Sequence, residues 1–445
     1  LPKNLKCAKA QGLLMKKNNV ELLSPAGNLE KLKIAIAYGA DAVYGGVSHF
    51  SLRIRAGKEF TFESFKEGID YAHARGKKVY ATINGFPFNS QIELLKKHII
   101  KMAELKPDAF IVAAPGVVKL CRDIAPEIPI HLSTQANVLN YLDAQVFWDM
   151  GVKRIIAARE ISLKDVKEIK KHLPDMEIEI FVHGSMCFAY SGRCLVSAVQ
   201  MGRVPNRGSC ANDCRFEYTL YAANEDHSSL FRLEEEPGVG TYIFNSKDMN
   251  LASHMQEILD SNAVDSVKIE GRTKSPYYAA VTAHAYREAI DDYFEDKFDA
   301  KKYQKELYTT KNRGFTDAYL IHRPFDKSDT QNHEYALSKG SYEVSGLVTE
   351  DEEYFMCKYK TYPGDEIEIF APIDAQITEC ENEIGKIYKK EDGKYYINFK
   401  KILTDTNKEL DSVHSGNTNK IKLPCKLPYL TMLRIKNEDE GSCNN

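Results

Sequence analysis

The sequence of 445 residues predicts an α/β fold: a TIM-type (β/α)8 barrel carrying a cysteine-bearing insertion, followed by a small all-β domain. Three observations carry that prediction. From Val20 onward, short apolar runs alternate with amphipathic stretches eight times. Polar residues and glycines close nearly every run, and beyond about Asn332 the period becomes that of short alternating strands. Strands of about four to eight residues, each followed by a helix of about ten to fifteen, specify parallel pairing through right-handed crossovers. A doubly wound open sheet competes with the barrel, but no GxGxxG follows the first run.

The units read in order. "VELLS" precedes a helix over 29–38, "DAVYGG" one over 62–75, and "KKVYATING" one over 92–105. "DAFIVAAPG" leads to 117–124, "IPIHLSTQAN" to 142–150 and "VKRIIAARE" to 163–172. "EIEIFVHG" is a seventh strand, and "DSVKIEGR" an eighth before a helix over 277–293. In a barrel the polar strand ends converge on one rim, where catalytic groups lie. The expected organisation is an N-terminal extension 1–19, a barrel 20–332 interrupted at 185–248, a β-domain 333–436 and a polar, disordered tail 437–445. A long insertion at the catalytic rim points to function, while the acidic run 234–236 within it reads as a solvated loop. Strands of the β-domain are read at "YEVSGLV", "YFMCKYK", "DEIEIFA", "GKIYKK" and "KYYINFK".

Composition is that of a folded, water-soluble chain, with 43% hydrophobic and 28% charged residues. Sixty Lys and Arg against 63 Asp and Glu give a net charge of -3, so no global field draws the protein to nucleic acid or anionic membrane. No apolar run reaches the roughly 18 residues of a membrane span. The N-terminus lacks a signal-peptide core, Met15 looks like a natural start with residues 1–14 upstream of it, and a cytoplasmic location is expected. Ten cysteines are too few for a disulfide-built fold, and a reducing compartment keeps them as thiols.

Four cysteines cluster in the insertion: Cys187 and Cys194 as C-x6-C, Cys210 and Cys214 as C-x3-C. The second spacing fits zinc-type pairs, and the first is wider than most. Gly184, Gly192, Gly202 and Gly208 permit the tight turns that gather thiolates around one centre. Zinc and an iron–sulfur cluster are the candidate occupants, since both accept four thiolates. A reactive Cys187 thiol beside His183 and simple core packing are the competing readings. Packing suits Cys121, Cys357 and Cys380 better than a Gly-, Asn- and Arg-rich insertion.

The stretch "EIFVHGSMCFAYSGRCLVS" resembles the signature of the collagenase-like peptidase family U-32, and "SPAGN", "DAVYGG", "NSKD" and "KIEGR" fall where that family has similar blocks. The resemblance spans 20–292 and, more loosely, the β-domain. The family is named for collagen degradation, yet bacterial members resemble oxygen-independent hydroxylases acting on tRNA, ribosomal RNA or a quinone precursor. The branch this chain is most similar to forms 5-hydroxyuridine in tRNA. The resemblance therefore implies a [4Fe-4S] cluster on Cys187, Cys194, Cys210 and Cys214, tRNA as partner, and prephenate, a small dicarboxylate, as hydroxyl donor. Whether an accessory protein takes part is left open. A peptidase is the alternative, but His333-Glu334 is followed by "YAL" without the second His of HExxH, and GxSxG is absent. A structural zinc protein is the third reading.

A dianionic donor needs fixed cations, and the planar fork of Arg suits carboxylates. Arg159 and Arg272 end strands and are the preferred candidates, with Arg53, Arg193 and Arg215 beside them. Glu160 and Glu270 orient those arginines or act as acid–base groups, and His183 is a candidate proton carrier. Asn84 and Gln135 carry amides suited to a base edge or a donor hydroxyl. Arg193, Arg203, Arg207 and Arg215 offer cations to phosphate, and Phe188, Tyr190 and Phe216 offer rings for an unpaired base, though core packing explains the rings equally.

Overall fold

The computed structural model describes residues 20–47, 50–52, 59–225, 230–233, 241–322, 330–335, 337–338 and 340–437. The extension 1–19, Arg53, the acidic run 234–236 and residues 438–445 of the tail lie outside the described residues. Eight strands form the barrel: β1 (Glu21–Pro25), β2 (Ala42–Gly45), β3 (Lys78–Ile83), β4 (Ala109–Val112), β5 (Ile130–Leu132), β6 (Arg154–Ile156), β7 (Glu177–Ser185) and β8 (Ser266–Ile269). They pair in parallel in chain order, and β8 pairs with both β7 and β1, so the sheet closes. Closure removes sheet edges and brings the C-terminal strand ends to one rim.

The helices that follow the strands are α1 (Leu29–Ala37), α2 (Phe62–His73), α3 (Ile92–Glu104), α4 (Pro115–Ile124), α5 (Tyr141–Asp149), α6 (Leu163–His172), α7 (Met255–Asp260) and α8 (Pro276–Phe294). Their starts are local chemistry. Thr61 and Ser162 form capping boxes with Ser64 and Asp165, and Ser275 caps α8 with Pro276 at its first position. The expected helices stand within about two residues of these bounds, as frayed ends allow. The seventh, α7, is short, lies beyond the insertion, and was not anticipated.

Strand alternation explains which face turns inward. Leu22, Val79, Ile178, Ile180, Val267 and Ile269 are apolar and fully or almost fully buried. The intervening positions reach one another across the barrel: Arg154 of β6 donates to Glu21 of β1 at 2.6 Å and to Glu179 of β7 at 3.1 Å. Lys268 of β8 donates to the other oxygen of Glu179 at 2.8 Å. This interior is charged where most such barrels are filled by Val, Ile and Leu.

The insertion leaves the end of β7. A short helix (Val196–Met201), single turns at Pro205–Arg207 and Asp213–Arg215, and a hairpin of Leu220–Ala223 with Leu230–Leu233 lie within it. The chain returns as Asp248–Asn250, antiparallel to the last residues of β7.

The contacts divide the chain into two compact units, the second holding 339–445 with the short segments 37–39 and 306–311. It is an antiparallel sheet around a core of Phe355, Ile367, Ile369, Ile387, Ile397 and Phe399. The five expected strands are present. A further strand, Met432–Lys436, was not expected and inserts between Glu366–Phe370 and Tyr342–Val348. Cys121 and Cys357 are buried thiols, as read from sequence. Cys380 is not: it forms a disulfide with Cys425, 45 residues on. Sequence spacing alone carries no signal for a pair that the sheet brings together.

Candidate active site

The inward period of the strands continues upward into a pocket at the rim. Thr82 and Asn84 of β3 and its loop, Ser133 and Gln135 after β5, Phe181 of β7, and Lys268, Glu270 and Arg272 of β8 and its loop all line it. The insertion supplies the opposite wall, and Cys187, Cys194, Cys210 and Cys214 all line this same pocket.

The cysteine loop is fastened to the rim at named points. Glu160, after β6, accepts the Ser191 backbone N–H at 2.8 Å, and the Arg159 backbone N–H donates to Ser191 Oγ at 3.3 Å. Gly192 sits at φ +75°, and a Cβ there would stand 2.3 Å from the Gln135 carbonyl oxygen. Gly184 sits at φ +112° with Glu270 O in the same relation at 2.4 Å. Only glycine allows these approaches. Gly202 and Gly208 also adopt positive φ, so all four glycines make the turns expected of them.

The thiols feel one another's charge. Burial pushes the Cys194 thiol up, opposed by the N–H groups of Val196 and Ser197 and reinforced by Cys187 and Cys210. Burial likewise raises Cys214, opposed by Arg215 and reinforced by the other three cysteines. Among the described residues no three His, Cys, Asp or Glu close tightly around a single ion. The donor set, four thiols lining one pocket with backbone N–H groups directed at the Cys194 sulfur, fits a four-thiolate centre.

Cations surround the pocket. Arg159 lies 4.0 Å over the Phe181 ring and pairs with Glu270 at 3.4 Å. Arg272 donates to Ser51 Oγ at 2.8 Å, to Thr82 Oγ1 at 3.1 Å and to the Leu52 carbonyl. Tyr44 donates to Glu270 at 3.3 Å, and burial, with Glu270, holds its phenol well above the ordinary range.

The profile for peptidase family U32 matches residues 27–330. The chain belongs to peptidase family U32. Over 419 residues it is 65% identical to "tRNA hydroxylation protein P" of Helicobacter pylori, covering 94% of this chain and 99% of that protein. It is 39% identical to the protein of the same name from Escherichia coli, covering 82% of this chain and 90% of the other. It is also 29% identical to "Collagenase" of Porphyromonas gingivalis, covering 83% and 91%.

For this U32 chain the structure gathers Asn84, Gln135, Arg159, Arg215, Glu270, Arg272 and the four cysteines at one pocket. Three candidates stand elsewhere. His183 is 1% exposed and faces α8, its ring within 5.8 Å of Tyr278 and 5.6 Å of Tyr286, with Nδ1 3.4 Å from the Tyr286 hydroxyl. The cause is a β-bulge: Lys268 pairs with Phe181 but Ile269 with His183, so Val182 is extra and the inward period is lost beyond it. His183 is therefore neither a proton carrier in the pocket nor a partner for the exposed Cys187. Glu160 serves the cysteine loop and does not line the pocket. Arg193 is exposed and also lies off the lining. Arg207 is spoken for, donating to Gln91 at 3.2 Å and lying over Phe88. Phe188 and Tyr190 line the pocket and are 48% and 65% exposed, which core packing does not explain; Phe216 is exposed but off the lining.

Lys268 is the lining cation that sequence reasoning missed. Burial lowers its pKa, opposed by Glu179, and its Nζ stands 4.2 Å over the Tyr44 ring. The signal was present: Lys268, Glu270 and Arg272 share one period of two.

Proposed function

We propose that this chain is a tRNA-modifying enzyme that hydroxylates a uridine to 5-hydroxyuridine, using a [4Fe-4S] cluster on Cys187, Cys194, Cys210 and Cys214 and a small dicarboxylate, prephenate, as hydroxyl donor. Near full-length identity of 65% with a relative named for tRNA hydroxylation supports the reaction class. The observation that carries the reading is that four thiols and the strand-end cations Arg159, Lys268 and Arg272 face one pocket. Four thiolates suit an iron–sulfur cube and tetrahedral zinc alike, so metal and sulfide analysis decides between them.

When bound, the cluster supplies electron transfer or a seat for the oxygen donor. The chain's own groups do the rest. Arg159 and Arg272 present guanidinium forks to carboxylates, and Lys268 adds a compact cation at the floor. Glu270 holds Arg159 in place and keeps the Tyr44 hydroxyl oriented. Phe188 and Tyr190 at the exposed edge offer faces on which an unpaired base stacks.

The test is anaerobic purification with iron, sulfide and zinc analysis, joined to nucleoside analysis of tRNA from a deletion strain. A brown protein that loses colour on Cys→Ser substitution, and tRNA lacking 5-hydroxyuridine derivatives, are the expected results. Stoichiometric zinc without sulfide counts against the cluster, and unchanged tRNA counts against the substrate.

A further inference from the structure

We propose that Phe88 and Arg207 form a stacking platform, beside the catalytic pocket, for the nucleotide that flanks the target uridine in its strand; this rests on the tRNA-uridine reading above. Phe88 belongs to the loop "NGFPFNS" that follows β3, and Asn84 of the same loop lines the pocket. Arg207 stands in the insertion between Asn206 and Gly208, which both line it. The pair itself is off the lining and so flanks the pocket.

Phe88 is 59% exposed although the Arg207 guanidinium carbon lies 4.2 Å from the centre of its ring. The guanidinium covers one face, so the exposure belongs to the other face and the edge. A lone exposed ring on a free loop carries no signal. This ring is held. The Gln91 side-chain oxygen accepts the Phe88 backbone N–H at 3.1 Å and an Arg207 Nη2–H at 3.2 Å, so one carboxamide fixes both the ring's backbone and the cation over it. Pro87 restricts the residue before it to extended backbone, and Phe88 is itself extended, at φ −88° and ψ 164°, where it opens the single turn Asn89–Gln91. The Phe86 N–H donates to the Asn206 carbonyl at 3.2 Å. Loop and insertion therefore carry the platform together, and the ring's position is tied to the segment that bears the thiols.

A base held in the pocket has a neighbour along its strand, and that neighbour is unpaired when the target lies in a loop. Unpaired bases stack on aromatic faces and guanidinium planes whatever their sequence, because every base has a π-face. Arg207 also sets positive charge beside a polyanionic strand. The occupant is RNA because the platform is continuous with the pocket that takes the uridine: residues on either side of Arg207 belong to its wall.

The experiment measures binding of RNA stem-loops with a uridine target in the loop to anaerobically purified protein at one fixed salt concentration. The stem-loops are intact, or abasic at the 5′ or the 3′ neighbour of the target. Removing one of those two bases is expected to weaken wild-type binding about five- to 150-fold, the range for one base on one ring. Phe88→Ala is expected to lose the same factor on intact RNA and nothing further on that abasic RNA, whereas Phe88→Tyr behaves as wild type. Phe88→Leu keeps apolar bulk beside Arg207 without a flat ring and is expected to behave as Phe88→Ala. Melting temperature and iron content verify that each variant is folded and loaded. Losses that multiply, or a wild type indifferent to both abasic sites, overturn the inference and leave the tRNA reading standing. So does a Phe88→Ala variant that loses iron yet binds RNA normally per loaded protein, since the clip is then only an anchor for the cysteine loop. A loaded wild type that neither binds nor modifies uridine RNA overturns both.

Discussion

Replacing His183 by Gln removes a proton-binding difference between the folded and unfolded chain. Burial, partly offset by Asp248, lowers the folded pKa to about 3, whereas the unfolded chain binds the proton near 6.5. The folded pKa is the depressed one, so the imidazole stabilises the fold fully above the unfolded pKa, and that contribution is lost as pH falls from 6.5 toward 3. Linkage for one such group between pH 7 and pH 5 amounts to about 2 kcal/mol. Glutamine keeps a hydrogen-bonding group toward Tyr286 and cannot charge. The single tryptophan, Trp148, lies in α5, so its fluorescence follows the barrel. Urea unfolding at both pH values is therefore expected to show wild type losing about 2 kcal/mol more than His183→Gln on acidification, with equal slopes in urea. Other titrating groups are common to both proteins and cancel. Parallel losses, within about 0.5 kcal/mol, refute the buried neutral imidazole and with it the bulge that turns it outward.

Glu179 is fully buried between Lys268 and Arg154, so Glu179→Gln leaves the buried Lys268 without its counter-charge, while Arg154 keeps Glu21 and Glu177, and is expected to cost about 3–5 kcal/mol in urea unfolding. A loss under about 1 kcal/mol contradicts the interior network. Ser191→Ala removes the hydroxyl that receives the Arg159 backbone N–H. It is expected to speed proteolysis within 186–216 and lower iron retention while barrel stability changes by less than about 1 kcal/mol; an unchanged cleavage rate rejects the anchor. Reducing Cys380–Cys425 opens a loop of 45 residues and is expected to cost the second unit up to about 4 kcal/mol by the chain-entropy relation, read by unfolding with and without dithiothreitol. No shift on reduction argues against the bond.

Much of the barrel was legible because each level of the sequence agreed. Apolar runs such as "EIEIFV" bury Ile178, Ile180 and Val182 on one face, and caps such as Ser162 stand where the periodic stretches begin. The disagreements arise where tertiary pairing decides. Val182 fits the strand pattern perfectly, yet its bulge depends on register against β8, which no local spacing encodes. Met432–Lys436 is central in its sheet although it is the last strand among the described residues. The four cysteines were legible as a group because glycines surround them. Glu160 was misread because its partner is a backbone N–H 31 residues away rather than an arginine.

The bulge also accounts for how a flexible-looking loop is held over a pocket. Up to Phe181 the strand faces inward, and that ring lies beneath Arg159. Beyond it the chain has lost barrel register but not hydrogen bonding: Gly184 and Ser185 pair with Met249 and Asp248 from the return strand. Arg313 clamps that return strand through Asp248, and Tyr286 of α8 donates to the Val182 carbonyl at 2.7 Å. The insertion therefore leaves and re-enters the barrel through one paired ribbon, and its interior is tied down again at Ser191 and Gly192. Two fixed ends and a fixed middle restrict the thiol-bearing segment far more than its irregular backbone suggests, since each anchor shortens the span free to fluctuate. Preorganisation of this kind is what a site needs if four sulfurs and three strand-end cations are to act together.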